Sequence, residues 1–167
     1  MPKILEKPKK VINKIAGIQQ LMANGVLLLM MAIITFDVIG RNFFNSPLKG
    51  SYELTELSSA MLVFLALAIT HRVGDHITID FLVERFSEKA RNLVQGVVEL
   101  VIALVTLLMA LQIYDNGLRM MERNATTAEL ALPVHPFLFL IALTVIIFML
   151  TAIFKAITYF RLAVNNR

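Results

Sequence analysis

The sequence predicts an all-α integral membrane protein with four transmembrane helices and both termini in the cytoplasm. Three observations carry that expectation. Of the 167 residues, 57% are hydrophobic, above the roughly 45–50% usual in soluble domains. The surplus is gathered into four separate runs, each close to the roughly 20 residues needed to cross a hydrocarbon core about 30 Å thick. Lysine and arginine are distributed unevenly between the segments that flank those runs. Four spans consume about half the chain, so residues 1–167 read as a single membrane domain.

The first element follows a basic lead, residues 1–14, which carries Lys3, Lys7, Lys9, Lys10 and Lys14. The apolar run from about Ile15 to Ile39 is broken only by Gln19, Gln20, Asn24 and the terminal Asp37. A cleavable signal peptide would have an apolar region of about 7–15 residues ending in a small-x-small site. This run is longer, and Thr35-Phe36-Asp37-Val38 offers no such site, so a retained helix is expected. The second helix is expected over about 54–70, the third over 93–114 and the fourth over 134–160. Asn45-Ser46-Pro47 and Lys49-Gly50-Ser51 mark the first turn. Pro133 and Pro136 bracket the start of the last helix, where proline is tolerated.

Orientation follows from the cationic residues. The lead, the loop between helices two and three (Arg72, Arg85, Lys89, Arg91) and the C-terminal end (Lys155, Arg161, Arg167) hold twelve of them. The other side holds Arg41, Lys49, Arg119 and Arg123. Positive charge accumulates on the cytoplasmic side, giving N-in and C-in. In the same loop, Ile79, Leu82 and Phe86 share a helical face apart from most of the charges. That pattern fits an amphipathic helix lying in the interface, or an extension of helix two or three.

Several function classes lose support at this level. There is no cysteine, which removes disulfide frameworks and thiolate metal sites. The net charge of +4 sits beside apolar segments, where topology and lipid headgroups account for it without nucleic acid. His71, His76 and His135 lie at segment boundaries, not facing each other within the membrane as a haem would require. No nucleophile constellation or phosphate-binding loop is present, so no enzyme activity, catalytic residue, metal site or cofactor is expected.

The polar residues that remain are candidate interface or structural positions. Glu99 lies inside Val97–Val101, and an acidic residue at mid-membrane costs about 2.5–3.5 kcal/mol on the insertion scale. It stands without a second intramembrane charge in the sequence, and reads as snorkelling or pairing with a basic residue of the adjacent loops. The alternative is the carboxylate of a small oligomeric proton-coupled exporter. Asp37 and Arg41 are spaced as a helical pair, acid first. Ser51, Glu53 and Glu56 open helix two, where a capping hydroxyl and negative charge are favourable, and Arg41 is expected to reach one of the two glutamates. Gly96, Ala103 and Ala110 recur every seven residues and predict a close-packed seam on helix three. Transporter sites usually need broken helices near mid-membrane, whereas these helix interiors lack proline.

Arg41-Asn42-Phe43-Phe44, Gly50-Ser51-Tyr52-Glu53-Leu54, Phe64-Leu65-Ala66-Leu67-Ala68, His76-Ile77-Thr78-Ile79-Asp80 and Leu130-Ala131-Leu132-Pro133 occur in this order. The set resembles the small membrane subunit, DctQ-like, of tripartite ATP-independent periplasmic (TRAP) transporters, and the resemblance covers nearly the whole chain. The absence of tryptophan departs from many members and leaves the subfamily open. The resemblance implies a scaffold for a large elevator-type membrane subunit in sodium-coupled uptake of an organic acid delivered by a periplasmic binding protein. It implies that sodium and substrate bind the large subunit, not this chain, and that His76 and Asp80 belong to the family pattern. A membrane anchor of a respiratory enzyme is a further alternative.

Overall fold

The computed structural model describes residues 6–73 and 87–165. These form four helices, α1 (Glu6–Phe44), α2 (Ser51–Val73), α3 (Glu88–Glu122) and α4 (His135–Asn165). Three of them contain stretches long and apolar enough to cross a membrane: Gly17–Phe44, Glu88–Glu122 and His135–Val164. The chain is a multi-pass membrane protein. The helices run past the apolar segments expected from the sequence, because polar residues continue a helix beyond the part that lipid must cover. The expected amphipathic segment between α2 and α3, with His76 and Asp80, lies outside the described residues.

Each helix end has a local cause. At the end of α1, Asn45 takes a left-handed conformation (φ 49°) and the Ser46 amide donates back to the Gly40 carbonyl at 3.1 Å. A Cβ on residue 40 would stand 2.6 Å from the Ser46 oxygen, so the return is closed to any other residue without a shift. Helix α3 begins at Ser87, whose hydroxyl accepts from the Ala90 amide. It ends with Asn124 at φ 47°. There the Ala125 amide bonds the Met120 carbonyl and the Asn124 amide bonds the Met121 carbonyl, the paired pattern that satisfies terminal carbonyls. Ser51, expected from the sequence as a cap, is instead the first residue of α2. Gly50 precedes it at φ +74°, and its carbonyl accepts from the Leu54 amide at 3.0 Å.

The most extensive helix contact is the antiparallel pair α3–α4; α2 packs against α4, and α1 leans on α2. The buried face of α3 is Asn92, Gly96, Glu99, Ala103, Thr106, Ala110 and Gly117. Their steps alternate between four and three as far as Ala110 and close with a full heptad to Gly117, extending the predicted seam at both ends. Opposite them α4 buries Ala142, Val145, Ala152, Ala156 and Ala163. Lipid is as apolar as leucine, so helices associate here by close van der Waals packing, which small residues permit. A Cβ on Gly96 would meet the Phe160 ring at 3.0 Å, and one on Gly117 the Phe139 ring at 2.7 Å. Ala60, Met61 and Phe64 bring α2 onto the cluster of Ala110, Ile141 and Val145.

The seam of α1 against α2 is narrower. Gln19, Ala23, Ile33 and Asp37 are its buried residues, and the Ser59 hydroxyl meets the Met30 sulfur at 3.3 Å. The rest of α1 exposes large apolar side chains, Leu21, Leu28, Phe36 and Phe43 among them. Helix α3 exposes a second apolar face through Val97, Val101, Leu104 and Leu108. Two hairpins, α1–α2 and α3–α4, therefore meet through α2.

Candidate functional site

Polar side chains join the two hairpins at both ends. At the end holding the α1–α2 and α3–α4 connections, residues 125–134 form a tight loop. The Thr127 amide donates to the Leu132 carbonyl at 2.9 Å and the Val134 amide to the Ala125 carbonyl at 3.2 Å. The Leu132 amide also donates to the Thr127 hydroxyl. The tip is left with unsatisfied amides, and buried Glu53 of α2 takes them. Its carboxylate accepts from the Glu129 amide at 2.6 Å and the Leu130 amide at 3.1 Å. The exchange is reciprocal, because Glu129 Oε2 accepts from the Gly50 amide at 2.6 Å.

Glu53 stands ahead of the apolar run that begins at Leu54. Burial raises its carboxyl pKa. The Thr127 hydroxyl and the amides of Glu129, Leu130 and Ala128 more than offset that, holding it below the ordinary glutamate value. The contact of Leu130 with Gly50 is equally tight: a Cβ on residue 50 would fall 2.3 Å from Leu130 Cγ.

Asp37 closes the same end from α1. Its Oδ1 accepts from the Leu48 amide and its Oδ2 from Arg41 Nη2, both at 2.9 Å. The helical pair expected from spacing is present. The expected reach of Arg41 across the hairpin is not: its charge is held by Asp37, Glu53 is occupied by loop amides, and Glu56 is exposed. Beside this cluster lies an open cavity of about 500 Å³ lined by Arg41, Pro47, Leu48, Lys49, Ser51, Tyr52 and Glu129.

At the opposite end Glu99 is not alone. His71 Nε2 of α2 lies 3.0 Å from Glu99 Oε2. The His71 ring, with its side chain 2% exposed, packs edge-on against Phe148 at a centroid distance of 4.6 Å. The Lys155 ammonium of α4 donates to the His71 carbonyl, which lies in the last turn of α2 where a cation meets the negative end of the helix. Three helices thus place an imidazole, a carboxylate and an ammonium together inside the bundle. Among the described residues no group of three or more His, Cys, Asp or Glu could hold a metal ion.

Sequence reasoning singled out Asp37, Arg41, Ser51, Glu53 and Glu99, and all five lie at these two ends, while Glu56 takes no part. It missed Glu129, His71 and Lys155 as partners. For His71 and Lys155 the only signal was an ionisable residue beside an apolar run on the side where Glu99 enters. For Glu129 there was none, since a contact to main-chain amides leaves no side-chain pattern.

Residues 30–163 match the family model described as "Tripartite ATP-independent periplasmic transporters, DctQ component". The chain belongs to the DctQ family. Its matched region takes in both polar ties, all of α2 and α3, and the seam of α3 against α4. Similarity also extends to the sialic acid TRAP transporter permease protein SiaT of Haemophilus influenzae (strain 86-028NP), 28% identical over 93 residues. That match covers 56% of this chain and only 15% of the relative, which is a much longer protein. The resemblance read from the sequence is therefore shown at the level of the family, a transporter component.

Proposed function

We propose that this DctQ-family chain is the small membrane subunit of a TRAP transporter, and that it scaffolds the large elevator-type permease subunit. The uptake it serves is sodium-coupled, fed by a periplasmic binding protein, and directed at an organic acid crossing the bacterial inner membrane. The family match over 30–163 carries the reading. Sialic acid in the name of the relative is a carboxylate, in keeping with the substrate class.

The geometry supports a scaffold over a carrier. Its helices run without a break at mid-membrane, unlike usual transporter sites. Its buried carboxylates bind loop amides, Arg41 or His71. The apolar faces of α1 and α3 remain available to lipid and to a neighbouring subunit. With twelve cationic residues expected on one side and four on the other, α2 crosses as the fourth span and both termini are cytoplasmic. From Leu54 to Val73 it rises about 30 Å, enough to do so.

The test is reconstitution. The large subunit, purified with and without this chain and supplied with binding protein and a sodium gradient, should take up substrate only when the chain is present. The two chains should co-purify. Equal uptake by the large subunit alone, at equal protein content, would end the scaffold role.

A further inference from the structure

We propose that the cavity beside Arg41 is a phospholipid headgroup site, taking a lipid with an ammonium-bearing headgroup such as phosphatidylethanolamine. The inference rests on the membrane-spanning reading of α1 alone and is independent of any scaffold role.

The cavity has the chemistry of a zwitterion. Arg41 is bound to Asp37 through one guanidinium nitrogen only, and its side chain is 66% exposed. Lys49 is exposed and makes no ion pair among the described residues. The two cations supply donors for a phosphate, arginine in the forked geometry that suits it. Glu129 contributes the opposite charge. Its Oε2 holds the Gly50 amide, and its Oε1 makes no hydrogen bond among the described residues. That oxygen suits an ammonium group and disfavours a small dianion. Tyr52, 78% exposed, lines the cavity as an aromatic residue of the kind enriched at membrane interfaces.

A track for an acyl chain continues from it. Arg41, Val38, Ile34, Met31 and Leu27 follow one another at steps of three and four, so they share a face of α1. The four apolar members are 48%, 43%, 55% and 40% exposed. From residue 41 to residue 27 the helix rises about 21 Å, more than one leaflet of a core about 30 Å thick. A cationic head above an exposed apolar stripe of leaflet depth is complementary to a phospholipid and not to a free anion.

Native mass spectrometry of the full chain in mild detergent, with phosphatidylethanolamine added, tests the assignment. One lipid per chain should be retained. Lys49→Gln should lower that retention roughly tenfold, the worth of one charge-assisted hydrogen bond. Lys89→Gln, an exposed cation at the other end, should leave it unchanged. Ile34→Gln should weaken retention without touching the headgroup cavity, so the result does not hang on a single variant. Equal retention by Lys49→Gln and the parent overturns the proposal. So does equal retention of phosphatidylglycerol, or displacement of the lipid by inorganic phosphate or by the free glycerophosphoethanolamine headgroup.

Discussion

His71 Nε2 and Glu99 Oε2 stand 3.0 Å apart, and the pair ties α2 to α3 where no other charged contact joins those two helices among the described residues. Removing one partner leaves the other buried without its counterpart. Glu99→Ala should therefore destabilise the protein by about 1.5–3 kcal/mol, read as a lower thermal unfolding midpoint in detergent. The exchange His71→Glu with Glu99→His should recover part of that loss. A single mutant as stable as the parent would show the pair to be energetically idle.

The Glu53 clasp predicts a dependence on acid. Its folded carboxyl sits below the ordinary glutamate value of 4.5, so the folded state binds a proton less readily than the unfolded chain. The stability it contributes is complete above the unfolded value and is lost as pH falls through the folded one. Unfolding midpoints measured from neutral pH down into that acidic range should fall more for the parent than for Glu53→Gln. Parallel curves would assign the acid sensitivity to other groups.

Backbone strain in the loop offers a gain. Ala131 is held at φ 53°, a conformation costing roughly 1–2 kcal/mol for a residue with a Cβ. Glycine relieves that while losing about 0.5–1 kcal/mol in chain entropy. Ala131→Gly should leave stability unchanged or raise it by up to about 1.5 kcal/mol, against a clear loss for Gly50→Ala, where the added Cβ meets Leu130. Thermal unfolding of the two variants side by side checks the contrast.

The seam makes a packing prediction. Gly96→Ala places a methyl 3.0 Å from the Phe160 ring, and overpacking of this kind costs typically about 1–3 kcal/mol. Phe160→Leu in the same chain should restore much of the loss. A disulfide between α3 and α4 engineered elsewhere on the seam should form more slowly in Gly96→Ala alone.

How far these features were legible depends on their range in the chain. The seam was visible as Gly96, Ala103 and Ala110 because a helix converts sequence period directly into a face. The Asp37–Arg41 pair was visible for the same reason. Glu53 was recognisable as polar and near a helix start, but its partners are amides exposed by the shape of a loop more than seventy residues away. His71 and Glu99 were read separately because nothing in the sequence states that the last turn of α2 sits level with the fourth turn of α3. Depth along the membrane is a tertiary quantity, and hydropathy reports it only to within a few residues.

The seam of α3 also constrains what insertions the chain tolerates. Gly96 and Gly117 are a whole number of heptads apart, and each admits an aromatic ring of α4. One residue inserted between them would rotate the two contacts about 100° out of phase, presenting a valine or leucine where a ring now lies. Seven residues would restore the phase but lengthen the rod by about 10 Å, beyond what the membrane and the fixed loop beyond Glu122 accommodate. The spacing between those glycines acts as a ruler, and variation in length has to fall in the connections instead.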